Sequence, residues 1–212
     1  MRLQQYINNE LNEELVIDDW TEMINIIKKD CSKFLKEFGS TPIYRGTKEI
    51  KNDNTLIRMK SRINRTPVDT PQHLHDLMDE LFKKHYGWKA RSESIFVIKD
   101  SSTAESYGNI TLFFPIGNYK YLWSKEVDDL YEQIRIKIIN KIIGYGIYTR
   151  DLEPKDITSE FETKLEDIIK TYKTIGFKNS KKQECMFKVN NYYLIRFDNL
   201  SKSLPFMDEV SN

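Results

Sequence analysis

Amphipathic helical runs separated by short, unevenly spaced strand-like stretches constrain this chain more than any single motif. Over residues 18–38, Trp20, Met23, Ile24, Ile27, Cys31, Phe34, Leu35 and Phe38 recur at helical spacing, Asp18 or Asp19 is placed to cap the start, and Gly39 ends the run. A second helix is predicted from Thr70 as N-cap, with Pro71 at its first position, an apolar face of Leu74, Leu77, Met78, Leu81 and Phe82, and a stop at Gly87. A third covers 126–143 with Val127, Leu130, Tyr131, Ile134, Ile138 and Ile142 on one side, and a fourth covers 159–172 and is ended by Gly176. Strands are expected at 42–46, 56–59, 94–98 and 110–116, with a short helix capped by Ser101 or Ser102 within 101–108. Residues 185–189 and 192–195 read as a hairpin across Asn190-Asn191, since Asn tolerates the positive φ that a two-residue turn requires. Helices and antiparallel strands mix without regular βαβ alternation, so the expected class is α+β. Neither a GxGxxG nor a Walker A loop is present.

The chain has 212 residues, which suits one compact unit: an N-terminal helical segment over 1–40 packed on a domain over 41–212. That length buries a core without disulfides, and Cys31 and Cys185 are too few for a disulfide framework or a four-cysteine zinc site. Lys+Arg 33 against Asp+Glu 32 gives a formal net charge of +1, which excludes a polycation that coats nucleic acid with its whole surface. No apolar run reaches the ~18 residues of a membrane span, and the first residues lack the apolar stretch of a secretory signal. No membrane association is therefore expected, and the cytoplasm is the expected compartment. Ile, Lys and Asn are abundant and Ala90 and Ala104 are the only alanines, the bias of an AT-rich genome.

Three short stretches carry candidate chemistry. Tyr44-Arg45-Gly46 closes the first predicted strand. Arg91-Ser92-Glu93-Ser94-Ile95-Phe96-Val97 opens a mid-chain strand and is followed by Ala104 and Tyr107-Gly108. Gln183-Glu184 precedes the apolar Cys185-Met186-Phe187. In this order they resemble the ADP-ribosyltransferase superfamily, in the branch whose signature is Arg, then Ser-x-Ser, then Glu, a branch with phage and bacterial mono-ADP-ribosyltransferases among its members. The likeness spans 43–195 and leaves the N-terminal helix outside it. It implies an ADP-ribosyltransferase-like split antiparallel sheet core with flanking helices. It also implies cleavage of the nicotinamide N-glycosidic bond of NAD, as substrate, and transfer of ADP-ribose to a protein or nucleic acid. By the same resemblance Glu184, Arg45 and Ser92 are catalytic, and Arg45, Gly46, Ser92, Ser94, Phe96 and Tyr107 hold NAD. Each residue type suits its part. A carboxylate stabilises an oxocarbenium-like transition state, a guanidinium forks onto pyrophosphate, and an aromatic ring offers a face to nicotinamide. The alternative is a non-catalytic binding or structural protein, of viral origin, with the same fold.

The sequence departs from the family at two places. Members that modify protein arginine carry Glu two positions before the catalytic Glu, where this chain has Lys182, and Gln183 falls one residue late. Glu93 stands where Thr is common, and strand alternation points it away from Ser92 and Ser94.

Other candidates read more simply. Arg58, Lys60, Arg62 and Arg65 form a local basic stripe; Arg58, Lys60 and Arg62 would share one face of an extended strand and could meet NAD phosphates or a nucleic-acid acceptor. His73 and His75 face apart on a helix and His85 sits in its last turn, so no metal is expected. Tyr119, Tyr121 and Trp123 alternate as a packed strand face does, and Glu126, Asp128 and Asp129 suit the first turn of the helix expected there.

Overall fold

A computed structural model of the chain describes residues 16–48, 50, 52–62, 67 and 70–212. β1 (Val16–Ile17) leads into α1 (Trp20–Asp30), which Asp19 caps by accepting the Glu22 N–H on its Oδ1 at 2.7 Å. The single run expected over 18–38 is two helices, because the chain breaks at Cys31 before α2 (Ser32–Phe38). The apolar face nevertheless continues across the break: Ile27, Cys31, Phe34 and Phe38 are all fully buried. Gly39 ends α2 with φ +58°, a left-handed value that glycine adopts without a Cβ penalty.

β2 (Tyr44–Thr47) and β3 (Thr55–Lys60) follow, then α3 (Gln72–Tyr86), β4 (Ile95–Val97), α4 (Ser101–Glu105), β5 (Asn109–Pro115) and β6 (Lys120–Trp123). Two caps differ from expectation. Pro71, not Thr70, is the N-cap residue of α3. Asp100 caps α4 in place of Ser101 or Ser102, its Oδ2 accepting the Thr103 N–H at 2.8 Å and the Ser102 and Thr103 hydroxyls at 2.6 Å. α5 is one helix in three pieces, Leu130–Ile134, a π turn over Arg135–Ile139, and Asn140–Ile142. It starts later than 126, so Glu126 and Asp128 precede it, and Asp129 caps it through the Glu132 N–H. α6 (Ser159–Lys170), β7 (Cys185–Lys188), β8 (Asn191–Arg196) and α7 (Ser203–Ser211) complete the order.

The fold is α+β with two antiparallel sheets. One has the order β1-β3-β8-β5-β2, the other β4-β7-β6. The expected hairpin is absent: β7 pairs with β4 and β6, while β8 pairs with β3 and β5. Each is the central strand of its own sheet, apolar on both faces, and the chain crosses from one sheet to the other through Val189 and Asn190. Asn190 has no positive φ, so the tight turn is not made. The sheets touch at an isolated bridge in which Tyr44 and Ile98 exchange both backbone hydrogen bonds, at 2.7 and 2.9 Å.

The small sheet is covered on both sides. Cys185 and Phe187 face the core shared with α1, α2, α7 and the large sheet, while Met186 between them faces α3, α5 and α6. Trp20 meets Phe206 of α7 edge-on at 5.0 Å, so the N-terminal helices pack on the main body. Among the described residues no helix is long and apolar enough to cross a membrane.

Candidate active site

A cleft of about 930 Å³ opens beside the junction of the two sheets. It is lined by β2 (Arg45, Gly46), by β4 (Phe96), by the turn after α4 (Tyr107), by Arg91 and by Glu184. Segments separated by more than half the chain thus meet at one place. That volume lies in the range of ~300–1,000 Å³ that holds small-molecule ligands.

Each side chain is positioned by local structure. Arg45 sits on edge strand β2 opposite Thr111, whose hydroxyl donates to the Arg45 carbonyl at 2.8 Å. Its Nη1 donates to the Phe96 carbonyl at 3.2 Å, while its Nε is buried with no hydrogen-bond partner among the described residues. Gly46 is required by close approach: a Cβ there would stand 2.0 Å from the Ala104 carbonyl oxygen and 2.8 Å from Tyr107 Cβ. Gly108, at φ +134°, lets the chain turn beside Thr47. Together the two glycines set the turn bearing Tyr107 directly on β2.

Glu184 immediately precedes β7, and its N–H donates to the Asp128 carbonyl at 3.1 Å. Its Oε2 lies 3.8 Å from Arg91 Nη1, and the Arg91 guanidinium lies 4.6 Å above the Phe96 ring. This places a cation over an aromatic face and beside a carboxylate, with Arg91 Nε buried and making no hydrogen bond among the described residues. Burial, followed by the charges of Glu184 and Asp129, pushes the Tyr107 phenol up to about 12. Tyr107 therefore stays a neutral donor at any ordinary pH. The buried Tyr172 phenol is likewise raised, first by desolvation and then by Glu184.

Ser92 and Ser94 are not among the residues that line the cleft. The Ser92 hydroxyl, expected to meet the ribose or orient Glu184, is engaged internally. It donates to Asp79 Oδ2 and meets His75 Nε2 at 2.9 Å. Asp79 Oδ1 also accepts the Arg91 and Ser92 N–H groups at 2.8 and 3.3 Å. All three side chains are buried, so this is a clamp that fixes the Arg91-Ser92 turn from α3. It is not arranged as a catalytic triad, because one ring nitrogen of His75 faces both Ser92 and Asp79 (3.5 Å). Ser94 is 1% exposed and its Oγ has no partner among the described residues, so it too sits behind the wall. Glu93 lies in the bend before β4, outside the strand that the alternation argument assumed, and pairs with Lys188.

Sequence reasoning passed over Arg91, Asp79 and Asp128. Arg91 was visible beside the serines, whereas the partners of Asp79 and Asp128 are distant in sequence. Asp128 accepts from Gln183 Nε2 at 2.6 Å and pairs with Lys182 at 2.8 Å, pinning the approach to Glu184. The basic stripe lies elsewhere. Arg58 and Lys60 are exposed on β3, separated from β2 by β8 and β5, and neither they nor Arg62 lines the cleft; Arg65 lies outside the described residues. Tyr121 and Trp123 are buried, as a packed strand face requires.

Family models, curated proteins and solved structures were all compared with the chain, and none matches it.

Proposed function

We propose that the protein is an NAD-dependent mono-ADP-ribosyltransferase with an ADP-ribosyltransferase-like fold. The observation that carries this reading is the meeting of Arg45, Arg91 and Glu184 in one cleft beside the contact between two antiparallel sheets. Two guanidiniums and one carboxylate, backed by Phe96 and Tyr107, match the demands of a dinucleotide whose N-glycosidic bond is to be broken.

The chemistry divides among these groups. Arg45 and Arg91 supply forked, permanently charged donors for the pyrophosphate. Phe96 offers its ring to flat groups and supports Arg91 from below. Glu184 accepts a hydrogen bond from a ribose hydroxyl and stabilises the positive charge that develops as the C1′–N bond breaks. The bonding pair leaves with nicotinamide, which departs neutral. The acceptor's lone pair then forms the new bond to C1′, and the acceptor gives up one proton. Ser92 serves this scheme at one remove, holding the turn that aims Arg91.

Lys182 bears on the acceptor. It stands two residues before Glu184, where arginine-modifying members of the family carry Glu, and it is tied to Asp128, so the carboxylate that would receive an arginine acceptor is missing from that position.

The test is incubation with adenylate-labelled NAD and a cell extract, followed by separate protease and nuclease digestion. Label fixed to macromolecules by the wild type and absent with E184Q supports the reading. Equal labelling by both proteins, or none by either, removes it.

A further inference from the structure

We propose that the acceptor is a single-stranded nucleic acid, brought to Glu184 along an aromatic and cationic ledge formed by residues 130–150. The proposal rests on the transferase reading above and deepens it. The ledge belongs to the cleft through Tyr131 and Arg150, which both line it. Between these two residues the chain carries four cations, Arg135, Lys137, Lys141 and Arg150, against one carboxylate, Glu132. Glu132 pairs with Arg135, and Arg150 pairs loosely with Asp151 at 3.8 Å, just beyond the stretch. Lys137 and Lys141 make no ion pair among the described residues. Asp128 and Asp129 on the cleft and Asp151 just beyond it border this stretch, so the excess of cations is confined to residues 135–150.

The aromatic groups on this stretch are held outward. Tyr145 is 87% exposed and Tyr148 51% exposed, with the Arg150 guanidinium 5.2 Å above the Tyr148 ring. Gly144 and Gly146 flank Tyr145 at φ +143° and +86°, and a Cβ on either would meet nothing within 4 Å. Their freedom therefore directs the backbone and serves no packing contact. The loop is tied down beside them, because buried Thr149 donates its hydroxyl to the Tyr131 carbonyl at 3.4 Å. The π turn in α5 buries Ile134, Ile138 and Ile139 together and leaves Arg135 and Lys137 on the outer side.

Exposed ring faces interleaved with cations are what unpaired bases and phosphates recognise: bases stack on rings or guanidinium planes, and phosphates take the charge. An acidic peptide would use the cations but leave the tyrosine faces unused.

The test has two readouts on the full chain. The first is fluorescence anisotropy with labelled oligo(dT) and oligo(U) of about 12 nucleotides. The second is nicotinamide release from NAD. Binding in the range of about 1–100 µM at low salt, weakening steeply as salt rises, is expected. Y145A/Y148A weakens it about tenfold or more, and R150E weakens it independently. Comparing the two probes tells DNA from RNA. If nicotinamide is released but neither oligonucleotide binds, the ledge proposal fails and the transferase reading stands. Binding that ignores all three substitutions, or label that only protease removes from the acceptor, also overturns it. If oligonucleotides bind through the ledge but NAD is untouched, the transferase reading fails, and with it the acceptor role; the ledge remains as a nucleic-acid site.

Discussion

Arg91 and Glu184 form an ion pair held at 3.8 Å, too long for a hydrogen bond, with the Arg91 guanidinium seated on the Phe96 ring. The spacing leaves the Arg91 guanidinium with donors to turn toward a ligand. Arg91→Ala is expected to lower kcat/KM for NAD cleavage about tenfold to a hundredfold, the worth of one charge-assisted contact. Arg91→Lys recovers only part, because lysine keeps the charge but loses the fork and the ring contact. Steady-state kinetics on the two variants checks this, and equal rates in wild type and Arg91→Ala would contradict it.

Asp79 holds the turn that carries Arg91. Its carboxylate is 2% exposed and accepts from two backbone N–H groups and one hydroxyl. Asp79→Ala strands those donors in the interior and is expected to cost about 3 kcal/mol in urea unfolding. Ser92→Ala removes one of these contacts and is expected to cost less. A rise in KM with Ser92→Ala at nearly unchanged kcat would mark Ser92 as a residue that positions others.

Gly46 tests the contact between β2 and the turn bearing Tyr107. A methyl group there meets the Ala104 carbonyl at 2.0 Å, so the turn must move. Gly46→Ala is expected to destabilise the fold by about 1–3 kcal/mol, as overpacking does. It also raises KM for NAD, because Tyr107 shifts with the turn. Calorimetry and kinetics on one protein sample read both effects.

Alkaline pH should unfold the protein in a defined window. Burial raises the phenols of Tyr119, Tyr121 and Tyr193 above their ordinary value of 10.0, and neighbouring carboxylates add to the effect, Glu37 at Tyr119 and Tyr121 and Asp30 at Tyr193. The folded state thus holds these protons more tightly than the unfolded chain. This stabilisation is fully present below pH 10 and is lost as pH climbs through the raised values. Tm measured against pH is expected to stay level up to about 10 and then fall. Y119F/Y121F shallows the fall, because two of the raised phenols are gone.

How much of this was legible in the sequence follows from how local each signal is. α3 could be read because its apolar spacing and its Gly87 stop lie within one segment. The Tyr44-Arg45-Gly46 strand and Glu184 at a strand start were legible for the same reason. The route of β7 and β8 was not. Two short apolar strands joined by asparagine have the same local pattern whether they pair with each other or each become the centre of a different sheet. The Asp79 clamp was hidden because its partners, Arg91 and Ser92, belong to a separate element. Asp128 and Asp129 looked like first-turn acids; the later start of α5 frees Asp128 to secure Lys182 and Gln183. The ledge was hidden as well, because only the fold of the loop after α5 brings Arg150 to the cleft beside Tyr131.

The most direct test of the central claim is nicotinamide release from NAD by purified wild type and E184Q. Glutamine fills the same space but carries no charge to stabilise an oxocarbenium ion, so the account predicts steady release by the wild type and a loss of about a hundredfold or more in E184Q. The folded variant should show an unchanged circular dichroism spectrum. Equal release by the two proteins, or no release by the wild type at millimolar NAD, would contradict the assignment.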